Sequence, residues 1–324
     1  MSYLIFVGRR LLHAIPLLIA IAVFSFTVLH ASRGDFADVV SAESGAADPA
    51  VMRELRKSLG LDRPAVAQLI DYGTRLLAFD LGNSFRYDRP VFDVIYERMF
   101  PTLLLTTTSA AISISLGVSL GVFAAIKHGS IVDDVISVIS LVAYATPIFW
   151  TGLLLIVVFS AHLAWLPTSG MTDAAHETEG FAYVRDVLRH LLLPSLTLSS
   201  VYLAIYTRLT RASMLEVAGF DHVRTAHSKG LPRHKVLIRH VLRNALLPIV
   251  TMAGVQAGAL LGGAVLVETV FAWPGVGRLT YDAVFQRDYP LLTGILISTS
   301  FLVVAVNIVV DLVYCLLDPR IAIR

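Results

Sequence analysis

Leu215 to Thr251 reads LEVAGFDHVRTAHSKGLPRHKVLIRHVLRNALLPIVT. Its cations are Arg224, Lys229, Arg233, Lys235, Arg239 and Arg243, opposed only by Glu216 and Asp221, and long apolar runs flank it on both sides. Lys and Arg are retained on the cytoplasmic face of a membrane, so a basic stretch between two apolar runs predicts a cytoplasmic loop joining two spans.

Inside that loop the residues predict a short helix. Gly219 can break the helix that leaves the preceding span. Asp221 is placed to N-cap a new one, typically worth about 1 kcal/mol. Lys229 suits the negative end of its dipole, and Gly230 supplies the left-handed residue that ends it. Leu231 and Pro232 stop continuation, and Pro232 opens another helix. The product is a helix of about two turns, with Val223 and Ala226 on one side and His222, Arg224 and Lys229 on others. At that length it is unstable alone and needs a packing partner. An ordinary amphipathic connector satisfies the same spacing.

The rest of the chain agrees with a membrane class. It has 324 residues, 56% hydrophobic and 15% charged, with mean hydropathy +0.72. Soluble domains carry roughly 25% charged residues. The formal net charge of +2 gives no global basic field for nucleic acid. One cysteine, Cys315, excludes an internal disulfide framework and a multi-cysteine metal site. In its apolar run it reads as a buried, inert thiol.

Taken in order, Arg9-Arg10 precede an apolar run from Leu11 to Leu29, which places the N-terminus inside. Leu29-His30-Ala31 would serve a cleaved signal peptide. The run exceeds the roughly 7–15 residues of such a core, which favours a retained anchor. Residues 1–31 therefore form the N-terminal end and first span, and residues 32–100 a polar extracytoplasmic segment. In that segment Pro49, Pro64 and Pro90 each open a helix, the second ending near Ala78 and the third near Met99.

Residues 101–324 form the core with five further spans: Pro101 to Ile126, Val135 to Leu163, Leu191 to Tyr206, Leu246 to Val270 and Leu291 to Leu317. Each reaches the roughly 20 residues of a crossing except the fourth of the six, which needs tilt or extended ends. Pro147 interrupts the third, and the fourth continues as helix through Arg208 and Arg211. Leu166 to His190 is an outer loop, and Glu268 to Gly277 turns the chain outside. Gly254, Gly258, Gly262 and Gly263 suit close helix approach, at a subunit or repeat interface, or merely make a small-residue helix. Six spans put both termini inside.

Catalytic signatures are missing. There is no GxxxxGK[ST] phosphate loop, so ATP hydrolysis by that route is excluded, and no HExxH or GxSxG. His222 and His227, and His234 and His240, do not fall on single helical faces, which argues against a histidine metal site. Asn307 and Asp311 share a face of the last span. An ionisable group within a span is a functional candidate, and Asp311 fits either a structural pairing near the inner end or a proton relay. The relay would make the chain a proton-coupled secondary transporter, the alternative reading. A membrane-embedded hydrolase would need a nucleophile or metal set that the sequence lacks.

The residues Asp221 to Leu231, followed by His240-Val241-Leu242-Arg243-Asn244-Ala245 and Leu247-Pro248, resemble the cytoplasmic EAA loop of ABC-importer permeases. The likeness is specifically to the first membrane subunit of the dipeptide, oligopeptide and nickel family. Arg224 and Thr225 stand where the general pattern has Glu and Ala, and Arg243 where its proline would fall. His222 and His227 replace the usual Tyr and Arg. Leu61-Asp62-Arg63-Pro64, Leu81 to Phe85, Trp273 to Gly277 and Asp318-Pro319-Arg320 are similar to further family segments.

The resemblance implies an all-α, six-span type I importer permease with a small outer-face helical insertion after the first span, in the bacterial inner membrane. It implies a loop, 213–248, that couples to ATPases through Asp221, Arg224, Thr225, Ala226, Lys229, Gly230 and Leu231. The implied partners are a second homologous permease, two cytoplasmic ATPases, an extracytoplasmic solute-binding protein, membrane lipid and a peptide or related solute. ATP and Mg would sit on the ATPases, with no cofactor or metal on this non-catalytic chain.

Overall fold

The computed structural model describes residues 12, 15–16, 19–24, 26–27, 38, 49–58, 60, 62–78, 80–173 and 179–317. The expected first span is described only in part, and the Asp318-Pro319-Arg320 ending and the side chain of Asp311 lie outside these residues. The described part is helical. In chain order it comprises α1 (Pro49–Ser58), α2 (Ala65–Leu77), α3 (Val91–Ile126), α4 (Ile131–Ala145) and α5 (Ile148–Leu155), the last continuing as a π-helix over Ile156–His162. Then follow α6 (Gly180–Ala218), α7 (Asp221–Ser228), α8 (Arg233–Val236), a second π segment (Leu237–Leu242), α9 (Arg243–Val270), α10 (Val276–Phe285) and α11 (Tyr289–Leu317). Among the described residues, four helices are long and apolar enough to cross a membrane, or five if α4 and α5 count as one broken span.

The chain forms two compact units, Met1–Phe100 with Gly275–Ile308, and Pro101–Pro274 with Val309–Arg324. In the first, Val91, Val94 and Ile95 pack against Val276, Leu279, Ala283, Leu291, Leu292 and Ile295. Asp288 is fully buried there. Its carboxylate accepts from the Ser84 hydroxyl and the backbone N–H groups of Arg86 and Leu291, so neutral donors satisfy it.

The second unit is built around α6. Leu191, Leu193, Leu198, Tyr202 and Tyr206 meet Leu105 of α3, Ile249, Leu260, Ala264 and Val267 of α9, and Phe271 and Trp273 beyond it. Glycines set how close α3 comes. A Cβ on Gly117 would lie 2.7 Å from Tyr206 Cβ, and one on Gly121 2.6 Å from both the Thr207 carbonyl and Thr210 Cβ. In lipid, where apolar burial drives helix association little, such backbone proximity is what holds helices together.

Four differences from the sequence reading have physical causes. The expected helix ending near Met99 and the span starting at Pro101 are one helix, α3. Pro101 removes one backbone donor, a loss membrane helices tolerate where neighbours compensate. Its carbonyl accepts the Trp273 indole N–H at 2.9 Å. Half of the expected outer loop 166–190 is helical, because α6 begins at Gly180 and runs 39 residues, so the fourth span is extended at both ends.

At Pro147 the third span does not merely kink but breaks, α4 and α5 differing by 106°. Thr146 is extended there (φ −79°, ψ 129°), as a residue before proline prefers. The glycine stripe of α9 is spent partly inside the chain. A Cβ on Gly254 would lie 2.6 Å from Val310, and one on Gly263 3.3 Å from Leu198, whereas Gly262 has nothing within 4 Å.

Candidate coupling site

The segment between α6 and α9 folds as a mounted platform. α6 ends at Ala218 with Gly219 as its cap. Phe220 is then extended (φ −73°, ψ 148°), and it, not Asp221, occupies the N-cap position of α7, with no side-chain cap bond. Asp221 is instead the first helical residue. Its charge still suits the helix N-terminus, and its nearest cation is Arg224 at 3.7 Å, both groups being solvent-exposed. Such an exposed pair contributes little.

The far end closes as a Schellman motif. Lys229 is the cap, and Gly230 takes φ +76°. The Gly230 N–H donates to the His227 carbonyl at 2.9 Å and the Leu231 N–H to the Ala226 carbonyl at 3.4 Å, satisfying two otherwise free acceptors. Pro232 (φ −64°, ψ 143°) then caps α8.

Val223 and Ala226 are buried. They pack with Met214 and Val217 from the end of α6, Val122 and Ala125 of α3, and Val236, Val241 and Ala245 of the following helix. Fully burying a valine contributes about 1.5–3 kcal/mol, on the scale needed to hold a two-turn helix that is unstable alone. A side tether adds to this. The Asn244 amide nitrogen lies 3.2 Å from His222 Nε2 and 2.8 Å from the His240 carbonyl. Of the residues singled out in the sequence, Asp221, Arg224, Thr225, Lys229, Gly230 and Leu231 are exposed, and Ala226 lies underneath. The surface is polar and cationic, flanked by half-exposed Phe220 and Leu231.

The sequence did not reveal a second cluster near α7. Asp133, in the first turn of α4, is 3% exposed and pairs with Arg211 of α6, Nε to Oδ1 at 2.5 Å and Nη2 to Oδ2 at 2.7 Å. Oδ2 also accepts from the Gly129 N–H at 3.1 Å and lies 3.1 Å from His128 Nδ1. Asp133 and Arg211 stand far apart in the chain, so no spacing links them. An arginine in the continuation of a span, opposite an acid at a span's start, was the available signal. Among the described residues no group of three or more His, Cys, Asp or Glu side chains is placed to hold a metal ion.

Comparison with known proteins fixes what this architecture is. Residues 117–323 match the family model "Binding-protein-dependent transport system inner membrane component", and residues 3–106 match its N-terminal companion. The chain belongs to this permease family. The di/tripeptide transport system permease protein DppB of Pseudomonas aeruginosa (strain UCBPP-PA14) is 39% identical over 98% of both chains. The dipeptide transport system permease protein DppB of Escherichia coli (strain K12) is 38% identical over 98% of both. A chain of the MetNI methionine ABC transporter, solved in inward-facing conformations, superposes with TM-score 0.56 at 15% identity, covering 70% of this chain and 97% of that one. At that identity it shows the fold alone. The chain is thus an ABC-type permease, a multi-pass membrane protein of the inner-membrane component family.

Proposed function

We propose that this permease forms one half of an import pathway for dipeptides or oligopeptides, and that α7 is the helix through which ATP hydrolysis drives it. The observation that carries the reading is the mounting of α7. Its apolar underside is packed, both ends are fixed, and a cationic outer face is left exposed. A rigid short helix of this kind transmits force to the spans it rests on. The near-full-length likeness to dipeptide permeases supports the peptide substrate.

In this reading six spans place both termini in the cytoplasm, and residues 32–100 lie outside. A second homologous permease completes the path, a solute-binding protein delivers the peptide, and two cytoplasmic ATPases hold ATP and Mg. Asp221, Arg224, Thr225, Lys229, Gly230 and Leu231 form the docking face, with Ala226 seating it. Closure of the ATPases moves α7, and the bundle alternates between inward-open and outward-open. That alternation requires ATP and the loaded receptor each to bind the two states with different affinity.

The test is affinity purification from native membranes in mild detergent, with mass spectrometry of the bound proteins. Recovery of an ATPase pair and a second permease is expected. Recovery of this chain alone, under conditions that keep other membrane complexes intact, would overturn the reading.

A further inference from the structure

We infer that Asp133 and Arg211 are a positioning pair that makes α4 move as one body with α6 and the α7 platform. The inference rests on the coupling role of α7 and adds where its motion goes next. Arg211 lies less than one turn before Met214, which belongs to the same apolar cluster as Val223 and Ala226. α6 continues without a break from Arg211 to Ala218, next to α7. Displacement of α7 therefore reaches Arg211 through the shared apolar cluster and the last turns of α6.

From Arg211 the path continues through a fork. The guanidinium holds both oxygens of Asp133, a planar two-point contact that fixes orientation as well as distance. The carboxylate also accepts from Gly129 N–H and meets His128, which ties in the short turn between α3 and α4. At this end of α4 Ile131 and Val135 are half exposed or more, and it is Asp133 that turns inward and is buried. Asp133 is the buried member and Arg211 is partly exposed, so loss of Arg211 would leave the buried carboxylate uncompensated, whereas loss of the Asp133 charge removes the two-point contact. The pair is thus the firm joint between a helix that carries the platform and one that ends in the 106° break at Pro147.

The experiment uses the purified whole complex with spin labels at Val138 and Arg208, both exposed, in a Cys315→Ser background. The label separation is read without nucleotide and after trapping with ATP and vanadate. In the parent protein it shifts by less than about 2 Å, the scale of small helix adjustments. In D133N it shifts by more or splits into two populations, and D133E restores the single narrow distribution. Should D133N not accumulate, R211K, which keeps the charge but loses the fork, is read in the same way.

A nucleotide-dependent shift of about one helical turn in the parent, or a D133N distribution identical to it, would overturn the inference. A complex that purifies without ATPase subunits would contradict the coupling reading itself, and that result is independent of the label distances.

Discussion

The crossing of α3 with α6 and the mounting of α7 hold helices in opposite ways. At the crossing, Gly117 and Gly121 let backbone meet backbone, so a single Cβ would collide with Tyr206, Thr207 and Thr210. At α7, two small apolar side chains and a glycine cap hold a helix whose other residues touch solvent. The first arrangement spends every surface on the fold. The second keeps one face free. Sensitivity of stability and sensitivity of docking should therefore run in opposite order across the two regions.

The largest effect on folding is expected from Gly121→Val. Overpacking typically costs about 1–3 kcal/mol and at times more, and here backbone is the obstacle. The yield of monodisperse protein in detergent should collapse, while Gly262→Val, which enters open space, should leave it near normal. Equal yields would remove the glycine argument. Next comes Val223→Asp, which buries an unpaired charge beneath α7. Limited proteolysis should then cut at Arg224 or Lys229 far faster while the spans survive. Unchanged cleavage would mean that the underside does not hold the helix.

Gly230→Val is expected to be milder, about 1 kcal/mol or more for a side chain at positive φ. ATP-driven uptake should fall, and normal uptake would count against α7 as a rigid element. Smallest for stability are Arg224→Glu and Lys229→Glu, expected within about 0.5 kcal/mol as exposed substitutions. Yet these should lower recovery of the ATPases in co-purification. If recovery is unchanged, the two cations are only solvated charges.

What the sequence made legible was local. Gly230 before Leu231-Pro232 forecast a left-handed cap, and Val223 with Ala226 forecast one packed side, because cap geometry and helical periodicity act within a few residues. Asp221 was misplaced by one position, since Phe220 was already extended and took the cap. Contacts between distant segments were not legible. The glycine spacing that marks close approach stands out in α9, whereas the crossing where a Cβ would meet backbone uses the same spacing at Gly117 and Gly121, and only the packing of α6 selects between them. Pro101 reads as a boundary, yet α3 runs through it, with Val91, Val94 and Ile95 buried in one apolar cluster and Leu105 in another. The Asp133–Arg211 joint likewise has no signature in either segment alone.

The most direct test places a photo-crosslinking residue at Lys229, on the exposed face of α7, and another at Val138, exposed on α4, in the assembled complex. An adduct with an ATPase subunit is expected from position 229 and none from position 138. ATPases that co-purify yet give no adduct at 229, or an equal adduct at 138, would contradict it.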